Sequence, residues 1–263
     1  MNIGLVGCGR MGAAIGGHLL DAGTPLAVYD PDSAACATLI ERGAAGCADP
    51  AGVAARSELV LVVVVDDDQT RAVVAECLET ARPGTVLALC ASIRPDTCRQ
   101  LANDAGGRGV HVLDTALVRG ERGAEAGRLA LFCGGPAEVI DSVRDAVAPF
   151  ASDVVRVGDI GAGQVAKSAN NILLWACIRA DVEVLRLGRA LGVEPAALRA
   201  AIALGSGANR PLEEWGEHRL RWPKKDLEIA LALAAEAGVE TTFVATLPTL
   251  MEELSVDDLQ ALR

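Results

Sequence analysis

The run from Asn2 to Val6 is apolar and stops at Gly7-Cys8-Gly9-Arg10-Met11-Gly12, after which apolar side chains recur at Ala13, Ile15, Leu19 and Leu20 until Gly23. This predicts a strand, a G-x-G-x-x-G turn and a helix, in the order that dinucleotide binding requires. Gly7 makes the tight turn, Gly9 lets a pyrophosphate approach the backbone, and Gly12 packs helix on strand. The N–H groups of the helix start, around Arg10 and Met11, would then face the phosphates. Glycines alone would mark only a turn; their placement between a strand and a helix carries the reading.

The second strand, Leu26 to Tyr29, ends at Asp30, eighteen residues after Gly12. A carboxylate there can accept hydrogen bonds from both hydroxyls of an adenosine ribose and would repel a 2′-phosphate. No Arg follows it, so NAD is expected over NADP, although an ordinary turn-starting Asp before Pro31 would look the same. Leu59 to Val65 is a continuous apolar run rich in β-branched Val, the mark of a parallel strand buried on both faces. It ends at Asp66-Asp67-Asp68, which places Val65 and Asp66 at the carboxyl edge where such sheets bind ligands. We read the acidic triplet as a helix start rather than a metal site, and expect no metal. Further strands are expected at Val86 to Leu89, Val110 to Leu113, Leu129 to Cys133 and Val154 to Val157, with a helix from Pro136 to Phe150.

Beyond Gly158 no strand pattern remains. Helical periodicity covers Gln164 to Leu191, Pro195 to Ala203, Lys225 to Ala237 and Leu247 to Leu254, while Gly205 to Pro223 has no clear period and could form a loop over a site. The expected architecture is α/β: an N-terminal Rossmann-type, doubly wound, mostly parallel sheet in residues 1–160, followed by an all-α domain in residues 161–263. Low aromatic content, 3%, within a chain that is 51% hydrophobic suits closely packed strands and helices. A formal charge of −11 argues against nucleic acid. No apolar run approaches the ~20 residues of a membrane helix. The eight cysteines form no C-x-x-C pair and sit mostly in apolar runs, as small hydrophobes do. With a strand at the N-terminus in place of a basic leader, this predicts a reducing, cytoplasmic setting.

The most chemically suggestive stretch opens the longest helix: Gly161-Ala162-Gly163-Gln164-Val165-Ala166-Lys167-Ser168-Ala169-Asn170-Asn171. Lys167 and Asn171 are four apart and share a face. A lysine beside an amide, where two halves of a chain meet, suits a proton donor with a substrate-orienting partner; a solvated helix start would carry similar residues. His18 and His111 are read as structural, His218 as a residue that could reach a site, and Tyr29 as strand core or adenine wall.

These motifs, in this order, resemble the β-hydroxyacid dehydrogenase family, which includes the 3-hydroxyisobutyrate, tartronate semialdehyde and 6-phosphogluconate dehydrogenases. Gly4 to Gly12 looks like the family's cofactor signature. Ser92-Ile93-Arg94-Pro95 looks like its Ser-Thr-Ile-x-Pro segment, whose hydroxyl lies by the nicotinamide ribose. Asp114 to Gly120 is similar to its substrate loop, Gly161 to Asn171 to its catalytic helix, and Lys225-Asp226-Leu227 to the late motif that approaches the cofactor. The resemblance implies NAD, a small anionic hydroxy-acid substrate, Lys167 as general acid/base, Asn171 as substrate orienter, Ser92 and Lys225 as cofactor contacts, and a homodimer or homotetramer.

Two departures stand out. Where the family has Asp-x-Pro-Val-Ser-Gly-Gly, this chain has Asp114-Thr115-Ala116-Leu117-Val118-Arg119-Gly120. A hydroxyl and a glycine give way to Val118 and Arg119, and a guanidinium can clamp a carboxylate or a sulfonate. Arg119 with Gly120 is therefore expected to hold the acid end, and the family's sulfolactaldehyde reductases make sulfonate an alternative. An ion pair of Arg119 with Glu121 or Glu125 is the competing reading. The segment before Lys225 is also shorter than in the family. A non-catalytic dinucleotide-binding module would not need Lys167, Asn171 and Lys225 together; imine reductases of this kind generally lack the lysine; and a methyltransferase would not explain the helical half.

Overall fold

In the computed structural model, which describes residues 1–263, the N-terminal run folds as strand β1 (Ile3–Val6), buried along its whole length. It is followed by α1 (Arg10–Asp21), β2 (Leu26–Tyr29), α2 (Ser33–Glu41), β3 (Ala45–Gly46), α3 (Pro50–Ala54), β4 (Leu59–Val62), α4 (Asp67–Thr80), β5 (Val86–Leu89) and α5 (Pro95–Gly106). Then come β6 (His111–Val118), α6 (Gly120–Glu125), β7 (Leu129–Gly134), α7 (Ala137–Val147) and β8 (Ala151–Gly158). The remainder is helical: α8 (Ala162–Ala190), α9 (Pro195–Ile202), α10 (Arg210–Glu213), α11 (Pro223–Glu236), α12 (Leu247–Glu252) and α13 (Val256–Gln260). The chain divides into two units, Met1–Lys167 and Ser168–Arg263.

The first unit is one sheet in the order β3-β2-β1-β4-β5-β6-β7-β8. Every pairing is parallel except β6 with β7. Side chains alternate across it, as the pleat requires. Ile3, Leu5, Leu59 and Leu61 join α1, α2 and α7 in one core, while Val6, Val60 and Val62 join α3, α4 and α5 in the other. This is the doubly wound, mostly parallel architecture expected from the sequence. The second unit packs Trp175, Ile178, Val182 and Leu185 of α8 against Leu212, Trp215, Leu227, Leu247 and Met251. The three- and four-residue steps of that α8 stripe make one helical face. No helix is long and apolar enough to cross a membrane.

Differences from the expected boundaries have local causes. β4 ends at Val62, not Val65, because its neighbour β1 ends at Val6, level with Val62; only the Val63 amide still reaches back, to the Val6 carbonyl. β6 runs on past Leu113 to Val118, since antiparallel β7 supplies partners for Asp114 to Val118. β8 starts earlier, at Ala151, and α10 interrupts the segment read as irregular.

Candidate active site

One row of residues defines the carboxyl edge of the parallel strands. Tyr29, Val6, Val62, Leu89 and Asp114 stand level across β2, β1, β4, β5 and β6. The strand order reverses between β1 and β4, so the crevice for a ligand opens beyond Val6 and Val62. Gly7 leaves β1 there with φ +97°, and a Cβ on it would collide with the Val63 carbonyl. A Cβ on Gly12 would meet the Gly7 carbonyl. These two glycines are thus required by the turn itself. Gly9 is different: its φ is −62°, which any residue adopts, and a Cβ on it would meet nothing within 4 Å. Gly9 is also the N-cap of α1, with no side chain capping the helix. An open backbone face at an uncapped helix N-terminus, at the switch point of the sheet, fits a pyrophosphate. Asp30 closes the far side, accepting the Cys8 amide at 2.7 Å and the Asp32 amide at 2.9 Å. Arg10 and Met11 form the first turn of α1, and the Arg10 guanidinium stands 3.5 Å from Glu121.

Beyond β4, Val65 is 62% exposed and its amide donates to the side chain of Gln69. Asp66 caps α4 through the Gln69 amide at 2.9 Å, so the acidic triplet is a helix start. Asp67 accepts from the Arg94 amide and from the Thr97 hydroxyl, sewing this loop to the start of α5. Beyond β5, Ser92 is half-buried between buried Ala91 and Ile93. The side chain of Gln164, 2% exposed, donates to the Ala91 carbonyl at 2.9 Å and accepts the Ile93 amide at 3.3 Å.

Asp114 is fully buried inside β6, and its carboxylate takes the amides of Gly161 at 2.8 Å and Gln164 at 3.0 Å. Burial pushes its acidity down, raising its pKa, and these backbone hydrogen bonds pull it back. The carboxylate thus anchors the start of α8. Gly163 is glycine because a Cβ there would strike Asp114 and the Phe132 carbonyl. Lys167 follows one turn later, close enough for its charge to act on the Cys90 thiol, which burial pushes up to about 11. The glycine loop, Val65, Asp66, Ser92 and the anchored start of α8 therefore belong to one sheet edge within the first unit. Asn171, half-buried, follows Lys167 on α8 and accepts from the Asn170 amide group at 3.2 Å. It falls in the second unit, as does Lys225 in the first turn of α11. There Asp226 accepts the Trp175 indole N–H at 3.2 Å and Leu227 is buried in the core, which fixes the turn bearing Lys225.

Arg119 is in the left-handed region, φ +80°, followed by Gly120 at φ +60° with open space where a Cβ would be. Its pairing is with neither Glu121 nor Glu125. One terminal nitrogen binds Asp153 at 2.7 Å, Ser152 at 2.8 Å and the Arg128 carbonyl at 3.0 Å. The serine and the guanidinium together draw the exposed Asp153 carboxyl below the usual range. His18 binds the Ala124 carbonyl and His218 the Pro211 carbonyl, both structural contacts. The sequence places Asp114, Gln164 and Asp67 only within longer motifs and gives none of the three an anchoring role of its own. A polar residue in an apolar strand, Val-Leu-Asp114-Thr-Ala, was the one signal available for the first.

Two family models cover nearly the whole chain: the NAD binding domain of 6-phosphogluconate dehydrogenase matches residues 2–158, and the NAD-binding domain of NADP-dependent 3-hydroxyisobutyrate dehydrogenase matches residues 161–261. The 3-hydroxyisobutyrate dehydrogenase of Pseudomonas aeruginosa is 32% identical over 267 residues, spanning 91% of this chain and 87% of that protein. The NAD-dependent L-serine dehydrogenase of the same organism is 31% identical over 231 residues, spanning 84% and 74%. A solved structure of Mycobacterium tuberculosis 3-hydroxyisobutyrate dehydrogenase with L-serine shares the fold, with a TM-score of 0.89 at 23% identity over 98% of this chain and 94% of that one.

Proposed function

We propose that this chain, which belongs to the β-hydroxyacid dehydrogenase family, interconverts a small β-hydroxy acid and its semialdehyde or keto form using NAD. The observation that carries this is the shared sheet edge: a glycine loop with an open face at Gly9 and, on the same edge, a helix start anchored by Asp114 that bears Lys167. Gly7, Gly9, Arg10, Met11, Gly12 and Asp30 would hold the dinucleotide, with Val65, Asp66, Ser92 and Lys225 as further contacts. When bound, the nicotinamide accepts or returns the hydride.

Lys167 does the remaining chemistry. As base it takes the hydroxyl proton while the carbinol hydrogen leaves as hydride; as acid it protonates the forming alkoxide in the reverse direction. Asn171, one turn on, orients the hydroxyl. Gly120 and the edge of Arg119 that does not face Asp153 receive the acid end. In this reading residues 1–160 are the dinucleotide domain, residues 161–263 supply substrate contacts and the surface of a homodimer or homotetramer, and the protein works in the cytoplasm. Asp30, with no basic residue beside it in sequence, favours NAD over NADP.

The test is turnover of the purified protein, followed by nicotinamide absorbance, with NAD and NADP against β-hydroxy carboxylates and their sulfonate analogues. Turnover of a carboxylate with NAD supports the proposal. A preference for sulfonates would redefine the substrate as a sulfolactaldehyde-type acid. Tight NADH binding with no turnover on any of these acids would favour a binding module instead.

A further inference from the structure

Among the buried polar side chains of the first unit, Gln164 has no part in the chemistry just described, yet it touches the backbone on both sides of Ser92. We infer that Gln164 is a positioning residue that sets the Ser92 segment at a fixed distance from Lys167, an inference that rests on the functional reading above.

A buried carboxamide is costly unless both its ends are bonded. Here they are: Nε2 donates to the Ala91 carbonyl and Oε1 accepts the Ile93 amide. Ala91 to Ile93 lies past the end of β5, whose last ladder-type bond is from the Cys90 amide to the Val62 carbonyl. The carboxamide therefore supplies the donor and acceptor that a neighbouring strand would supply to residues 91 and 93. Its own backbone amide is held by Asp114. Three residues later on the same helix stands Lys167, on a neighbouring position of the face. The distance from serine to lysine is thus spanned by one side chain and one turn of helix, both anchored. Hydride and proton must leave the same carbinol group, so an error in this distance acts less on binding than on the chemical step, where a misplacement of 1 Å can cost about 100-fold.

The chemistry of the carboxamide gives a specific test. Gln164→Leu keeps the bulk and removes both bonds. Gln164→Glu, when ionised, still accepts the Ile93 amide but turns a charged oxygen on the Ala91 carbonyl; when protonated, it restores the donor. The measurements are kcat, KM for the hydroxy acid, NADH affinity, the deuterium isotope effect at the carbinol carbon, and thermal unfolding. For Gln164→Leu we expect kcat about 10- to 100-fold lower with KM and NADH affinity little changed. For Gln164→Glu, activity relative to wild type should rise as pH falls. A folded Leu variant as fast as wild type overturns the inference, and so does a Glu variant whose deficit is the same at every pH. If the Leu variant does not fold, the pH profile of the Glu variant decides. A wild type that turns over no hydroxy acid removes the functional reading and this inference with it, an outcome distinct from an active wild type with an equally active Leu variant.

Discussion

Arg119 shows how one residue can answer to two demands. Its backbone sits in the left-handed region, where a side chain costs about 1–2 kcal/mol relative to glycine, and where the family pattern has glycine. Its guanidinium is tied to Asp153 on one side only. If the open side receives the substrate acid, Arg119→Ala should raise KM by roughly 10- to 100-fold, the value of a charge-assisted hydrogen bond of about 1.5–3 kcal/mol. Asp153→Asn, which removes the opposing charge and leaves Ser152 and the Arg128 carbonyl as partners, should leave KM unchanged or lower. Stability should hardly respond to Asp153→Asn, because an exposed ion pair contributes only about 0–1 kcal/mol. Steady-state kinetics of both variants checks this, and an Arg119→Ala enzyme with wild-type KM would remove the clamp.

At the scale of elements, the glycine loop separates folding from binding. Gly9→Ala meets no atom within 4 Å and keeps an ordinary φ, so its melting temperature should match wild type while NADH affinity falls about tenfold or more, as an overpacked contact costs about 1–3 kcal/mol. Gly7→Ala, at φ +97° against the Val63 carbonyl, should instead unfold at lower temperature. Equal melting losses in the two would contradict the account. The junction of β6 and α8 adds a pH test. Burial raises the pKa of Asp114 in the folded state, so its contribution is fully present below the unfolded pKa and is lost as pH rises through the raised one. Asp114→Asn places an amide donor against a backbone donor and should destabilise by about 1–3 kcal/mol. In thermal unfolding the gap from wild type should narrow as pH rises from acid; a gap that widens would reverse the assignment.

The strands and long helices were legible from apolar runs and period because their burial is decided locally, by the pleat and by helical faces. β3, at two residues, and α13, at five, are too short to carry a period. Asp114 and Gln164 were opaque for another reason: their partners lie 47 to 73 residues away and are backbone groups with no side-chain signature. Lys167 could be named as a candidate from its stretch of sequence, while the Asp114 anchor of its helix could not. The partner of Arg119 is hidden in the same way, because Asp153 reaches it only through the β6–β7–β8 ladder.

For the whole molecule, a chain of net charge −11 can hold an anionic ligand only where backbone amides and a few cations offset its field. The first unit brings the glycine loop and the helix start that bears Lys167 to one sheet edge, where we propose that Lys167 moves the proton. The most direct measurement is turnover and NADH affinity for Lys167→Ala beside wild type, on whichever β-hydroxy acid the wild type oxidises. Turnover of the alanine variant should be lower by about 10²- to 10⁴-fold, the usual contribution of a general acid–base group, with NADH bound as tightly as before. An alanine variant with near wild-type turnover would contradict this role of Lys167.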